Sequence, residues 1–283
     1  MSVPRAARGV YDTGDAGPGD RYDQRRQRAA LLGPLAFPGA VAVGVSALIL
    51  HGVAGAPTEA PPEVTLPDGS SRIGGGPVLV RRLPLRRWNI IDGIPVATVE
   101  DALAQAVPRL GQRHALALLD SALHQGLITQ DGVARAHAAA AGRRGVARTH
   151  AWWGWADARA ESPAESWARA GCLRLGIAPD VLQLPVVGSG GRVVARVDLA
   201  WLLSDGGWLL VEVDGRDVHS TPEAQFRDRR RQNLLDTRRT VLRRFTGREA
   251  WNGELAAAVA RDLRAASWRP RPQTRPLALH LDG

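Results

Sequence analysis

Arg196-Val197-Asp198-Leu199-Ala200-Trp201, followed by Trp208-Leu209-Leu210-Val211-Glu212-Val213-Asp214-Gly215, decides how the rest of the chain is read. Both runs are largely apolar, the pattern of buried strands, and each carries acid. Ser204 to Gly207 reads as the turn between them. An unpaired carboxylate inside a sheet costs on the order of several kcal/mol unless it meets a cation. Asp198, Glu212 and Asp214 therefore need a reason to be there. Side chains alternate along a strand, so Glu212 and Asp214 share a face. Asp198 joins them only if an odd-length loop or a bulge sets it opposite one of them. An even two-residue turn at Asp205-Gly206 would set it opposite Val213, on the wrong face.

Basic chain follows. Thr221-Pro222-Glu223 opens a helix expected to reach about Asp236, carrying Arg227, Asp228, Arg229, Arg230 and Arg231. His219 lies just before it. Thr240 to Thr246 reads as a further strand, and Leu255 to Ala266 as a closing helix. On the other side, Ser162-Pro163-Ala164-Glu165 is a helix start, with Ser at the N-cap, Pro at N1 and Glu at N3. Its helix is expected to stop at Gly176.

This constellation suits a divalent metal at a phosphodiester. Mg²⁺ or Mn²⁺ takes hard oxygen ligands, and Asp198 and Glu212 are the candidate metal acids. Asp214 lies beside them, and Glu165 is a further candidate acid. His219 is placed to move a proton. Arg227, Arg230 and Arg231 are candidates to hold phosphate, with Asp228 supporting them. The bland reading is that the arginines simply pair with the acids, that capping explains Glu165, and that Asp228 and Arg231 form an intrahelical pair.

Composition agrees with a nucleic-acid partner without requiring it. The chain has 283 residues, a net charge of +9 and 37 basic residues, all of them arginine. Arginine stays charged and forks onto phosphate. A single cysteine, Cys172, excludes an intrachain disulfide or a cysteine zinc site. Met1 to Asp12 lacks the apolar run of a secretory signal, so a cytoplasmic location is expected. Pro34 and Pro38 interrupt the uncharged stretch from Ala29 to Ala56. The remainder after Gly39 is about 11 residues, short of the roughly 20 that span a bilayer. No membrane association is expected.

The N-terminal half reads as a smaller α+β module. Arg8-Gly9-Val10-Tyr11 suits a short strand, and Ser46 to Leu50 a buried helix. Glu63 to Leu66, Val78 to Leu83 and Ile90 to Val96 suit strands. Thr98, with Asp101 three residues on, caps an alanine- and leucine-rich helical set over 98–107, 112–125 and 130–141. The expected organisation is a polar segment at 1–28, an α+β domain at 29–142, a linker at 143–160, an α/β domain at 161–268 and a frayed tail at 269–283.

Five motifs in order resemble a known family. They are Ser162-Pro163-Ala164-Glu165-Ser166, Arg196 to Trp201, Glu212-Val213-Asp214-Gly215 with His219, Asp228-Arg229-Arg230-Arg231, and Val241-Leu242-Arg243-Arg244-Phe245. Together they resemble domain of unknown function 559, which is similar to very-short-patch-repair endonucleases within the PD-(D/E)xK superfamily. The resemblance covers about residues 160–266. It implies a restriction-endonuclease-like mixed sheet flanked by helices and metal-dependent DNA hydrolysis, with Asp198 and Glu212 matching the metal acids and Glu165 the acid of the first helix. Asp214 stands where the superfamily pattern has lysine, which leaves His219 or an arginine such as Arg231 to supply that cation.

The N-terminal half resembles the abortive-infection AbiEi antitoxin and transcriptional-regulator family. The matching pieces are Arg8-Gly9-Val10-Tyr11, Ser46 to Gly52 and Gly93 to Glu100. In that family a winged helix-turn-helix precedes the Arg-Gly-Val-Tyr wing. Here only the wing is present, which implies either a shortened start or a chain without its own DNA-reading helix. The expectation is thus an α/β protein that cleaves DNA with Mg²⁺, possible partners being DNA and a toxin-like or defence-system protein. The alternative is a non-catalytic DNA-binding or antitoxin-like regulator.

Overall fold

The computed structural model describes residues 5–7, 9–11, 20–68, 76–188, 190–214, 235, 239–270 and 277–280. The chain divides into two units, Met1–Ala158 and Arg159–Gly283. Each holds a five-stranded mixed sheet flanked by helices. Among the described residues no helix is long and apolar enough to cross a membrane.

In unit 1 a two-stranded ribbon, β1 (Arg5–Ala7) with β2 (Val10–Tyr11), precedes α1 (Arg21–Ala36). Asp20 caps α1 by accepting from the Tyr22 and Asp23 amides at 2.8 and 2.9 Å. The helix crosses Pro34, a residue expected to break it. Pro34 lies in the last turn, where its missing N–H leaves the turns before it intact.

The sheet runs in the order β5-β4-β3-β7-β6, with β3 (Val41–Ala42), β4 (Glu63–Thr65), β5 (Leu79–Arg81), β6 (Trp88–Ile91) and β7 (Ile94–Ala97). Helices α2 (Gly44–Leu50), α3 (Val99–Ala106), α4 (Gln112–His124) and α5 (Gln130–Ala139) complete its core. Thr98 caps α3 as expected, accepting from the Asp101 amide at 3.2 Å.

Residues 143–160, expected as a linker, mostly belong to this unit. A 3-10 turn at Val146–Thr149 and α6 (His150–Gly154) lie against its core. The Arg/Gly composition suggested open chain, but Trp153 is only 4% exposed and Val146 and Trp152 pack beside it. Burying that apolar surface outweighs the local turn-forming bias.

Unit 2 begins with α7 (Pro163–Arg174). Its sheet runs β11-β10-β9-β8-β12, with β8 (Val181–Val187), β9 (Val193–Leu202), β10 (Trp208–Asp214), β11 (Thr240–Thr246) and β12 (Leu279–His280). Strands β8, β9 and β10 are successively antiparallel, and β11 lies parallel to β10. One face packs on α7, α8 (Gly247–Asn252) and α9 (Glu254–Ala265), through Cys172, Leu199, Leu209, Val211, Val213 and Val259. The opposite face buries Leu184, Val197, Leu210 and Leu235. The tail expected to fray instead adds β12 to the sheet edge, pairing Leu279 with Val186 and His280 with Val187.

Candidate functional site

The connection between β9 and β10 sets the register. Leu202 pairs with Trp208, leaving residues 203–207, an odd number, in the loop. The paired ladder ends with Leu199 opposite Val211, and by residue count Asp198 and Glu212 come next on the two strands. The odd loop length is the parity that the metal reading required. On the far side Glu212 pairs in register with Arg244 of β11. On the near side Asp198 falls opposite Gln183 of β8, between the pairs Leu182–Leu199 and Leu184–Val197. Gln183, Asp198, Glu212 and Arg244 thus form one polar rung across four adjacent strands of an otherwise apolar sheet.

The backbone turns over at this rung. Leu182 and Leu199 belong to the core under α7, whereas Leu184 and Val197 belong to the opposite one. Regular alternation would keep each strand's pair on one face. Gln183 adopts φ 52°, a left-handed conformation that costs a residue with a side chain roughly 1–2 kcal/mol. Asp198 follows the same turn. Its Oδ2 accepts the Val213 amide at 2.8 Å, taking over a bond that β9 backbone makes elsewhere in the ladder. The Asp198 carboxylate is therefore anchored one residue from Glu212.

Glu212 is 6% exposed, while Asp214 is exposed. Arg244 lies between them, with Nε 3.5 Å from Glu212 Oε2 and Nη2 3.3 Å from Asp214 Oδ1. Both distances exceed the 2.7–2.9 Å or so of a tight charge-assisted bond. One guanidinium is shared by two acids.

Glu165 does not join the face of Glu212. It starts α7, which packs on the side of Val211 and Val213, and strand alternation sends Glu212 to the other side with Leu210. Capping alone does not account for it either. Ser162 Oγ accepts the Glu165 amide at 3.2 Å as the cap requires. The Glu165 carboxylate, however, takes the Glu161 amide and Gln183 Nε2 on one oxygen, each at 3.0 Å. It thereby ties α7 to the Gln183 end of the rung. Burial raises its pKa above the ordinary carboxylate value, against the hydrogen bonds from Glu161, Ser162 and Gln183.

A raised carboxyl pKa has a definite sign in stability. The favourable contribution is complete below the unfolded pKa near 4 and disappears as pH rises through the folded value. Glu165→Gln keeps an oxygen acceptor but cannot ionise. The wild-type melting temperature should therefore fall relative to Glu165→Gln between about pH 4 and pH 7. Thermal unfolding across that range checks it, and a constant difference would deny the shift.

His219, Arg227, Asp228, Arg230 and Arg231 lie outside the described residues. Among the described residues no group of three or more His, Cys, Asp or Glu side chains is placed to hold a metal ion. Asp198 and Glu212 offer hard carboxylate oxygens, the donor type taken by an ion such as Mg²⁺ that keeps several of its waters.

Two members of the rung were not among the candidate site residues. Gln183 left a signal, a polar side chain inside the apolar run Val181–Val187. Arg244 left none by itself, because its neighbourhood to Glu212 depends on the parallel pairing of β10 with β11.

The chain is similar to proteins titled uncharacterized from two strains of Mycobacterium tuberculosis. Each is 35% identical over 159 residues, which cover 55% of this chain and 56% of the relative. The chain thus matches only a little over half the length of these curated relatives. No family model matches it, and no solved structure does.

Proposed function

We propose that unit 2 is a restriction-endonuclease-like domain that hydrolyses DNA phosphodiester bonds, with Mg²⁺ or Mn²⁺ held by Asp198 and Glu212. The observation that carries this reading is the rung: two carboxylates on neighbouring strands, with Asp198 departing from the ladder beside Glu212. The motif resemblance to domain of unknown function 559 supports it, as does the all-arginine basicity of the chain.

When bound, the metal supplies an acidified water and stabilises negative charge on the phosphate oxygens. The chain does the positioning. The Val213 amide fixes Asp198, and Arg244 pairs with Glu212 and Asp214. The basic segment at Arg227, Arg230 and Arg231 supplies phosphate contacts, with Asp228 beside it, and His219 supplies proton transfer.

A second reading rests on a specific observation. Arg244 already compensates Glu212 and Asp214, as it would in a domain that binds DNA, or regulates as an antitoxin-like protein, without cutting it. A toxin-like or defence-system partner belongs to that reading.

Incubating the full chain with supercoiled, linear and mismatched DNA, with and without divalent metal, separates the two. Nicking that needs Mg²⁺ or Mn²⁺ and stops with chelator is the expected result. Salt-sensitive DNA binding that ignores the metal, with no cleavage of any substrate, assigns the regulator.

A further inference from the structure

Unit 1 contains a second concentration of charge, remote in sequence from the acid rung. A cavity of about 650 Å³ is lined by Arg81, Arg109, Arg143, Arg144 and Arg148, with Leu83 and Pro108 as apolar wall. Among the described residues no carboxylate lines it. The arginines converge from three places: β5, the 3-10 turn Val107–Arg109, and the Arg143–Arg148 segment.

Their anchoring is built into the fold. Glu63, whose side chain is 5% exposed, accepts both arms of Arg109 at 2.7 and 2.6 Å and Arg81 Nη2 at 2.8 Å. Arg109 Nε also donates to the Gln105 carbonyl at 2.9 Å, and Arg148 Nη2 to the Pro108 and Leu110 carbonyls at 3.3 and 3.1 Å. Gly145, at φ 93°, brings the Arg143–Arg144 segment against the Pro108 carbonyl, where a Cβ would collide.

Glu63 offsets one positive charge of the five. Burial and the charge of Arg109 both hold the Arg143 guanidinium below its ordinary pKa, against Asp101. Arg81 Nε is buried with no hydrogen-bond partner among the described residues. Cations held this close, in a concave and partly apolar site, are stabilised by a multiply charged anion.

We propose that this cavity binds a small organic polyphosphate of the nucleoside di- or triphosphate class. Guanidinium forks pair with phosphate oxygens two at a time. The volume falls in the range of roughly 300–1,000 Å³ typical of small-ligand sites. Leu83, Pro108 and the arginine stems offer an apolar surface for the organic part. Duplex DNA presents its phosphates along extended strands, which favours a track of arginines over a concave cluster.

Calorimetric titration of the full chain with ATP, ADP, adenosine and a short DNA duplex tests the proposal. It is run without divalent metal at one fixed salt concentration, on wild type, on Arg143→Ala/Arg144→Ala and on Arg144→Lys. ATP and ADP bind and adenosine does not. The double alanine variant weakens ATP by about tenfold or more through two lost charge-assisted contacts, with unchanged thermal unfolding. Arg144→Lys keeps its charge and most of the affinity. The proposal is overturned if ATP and ADP give no binding, if the double variant binds them as wild type does, or if adenosine binds as well as ATP. It is overturned equally if the duplex alone binds and loses affinity in the double variant, which assigns these arginines to DNA.

Discussion

Asp198→Asn and Glu212→Gln should each lower the proposed metal-supported DNA nicking by about 10²–10³-fold, a loss of roughly 3–4 kcal/mol in transition-state stabilisation. The amide variants are chosen because alanine confuses two effects at Asp198. Its carboxylate also accepts the Val213 amide, and removing that acceptor strands a buried donor at a cost of about 1–3 kcal/mol. Asparagine retains an oxygen for Val213 and removes only the ionic ligand. Glu212→Gln keeps size and shape within the sheet. Asp214→Asn should cost less than about tenfold, because the exposed Asp214 is assigned to the pair with Arg244 rather than to the metal. Initial rates on supercoiled plasmid, with melting temperatures for every variant, provide the comparison. A Glu212→Gln protein that cuts normally, or an Asp214→Asn protein that fails where Asp198→Asn succeeds, sinks the assignment of the metal acids.

The second large effect falls on stability in unit 1. Glu63→Ala should destabilise the fold by about 2–4 kcal/mol, because two arginines lose the carboxylate that neutralises them. Arg81 and Arg109 are each about one-third exposed, and water recovers part of that loss. The melting transition should fall by roughly 5–15 °C for a unit of this size. Glu63→Gln should cost less, since it keeps one acceptor for the guanidinium groups. If Glu63→Ala melts within about 2 °C of wild type, the buried ion cluster contributes little to the fold. Added ATP should raise the melting point of wild type, as a ligand that binds only the folded state does.

What could be read directly from the chain was mostly local. The Thr98 cap of α3 and the Ser162-Pro163 start of α7 are set by neighbours within one helical turn, so sequence displays them. The acids of β9 and β10 stood out because charge inside an apolar run is costly. Their registration could be posed as a question of loop parity, which the odd-length connection at 203–207 answers. Gln183 and Arg244 were harder. They join the rung through pairings that cross long separations in sequence, and no local pattern encodes a partner on another strand.

The same limit explains the other differences. Arg143 to Arg148 looks like open, charged chain, yet Val146 packs against the core that the following tryptophans join. Leu279 and His280 follow a Pro/Arg-rich stretch and still complete a sheet edge, since β8 offers an unpaired row of backbone groups. Glu165 was legible as a capping residue. Its second bond, to Gln183, required the helix to be seated on the sheet.

The most direct test of the account is metal binding itself. Electron paramagnetic resonance of Mn²⁺ titrated with the full chain, with Asp198→Asn and with Glu212→Gln, reads occupancy without depending on the right DNA substrate. The account predicts a bound ion in wild type that is lost or much weakened in both variants. Wild-type protein that leaves Mn²⁺ free, or variants that hold it as tightly as wild type, would contradict it and leave the rung as a structural ion pair centred on Arg244.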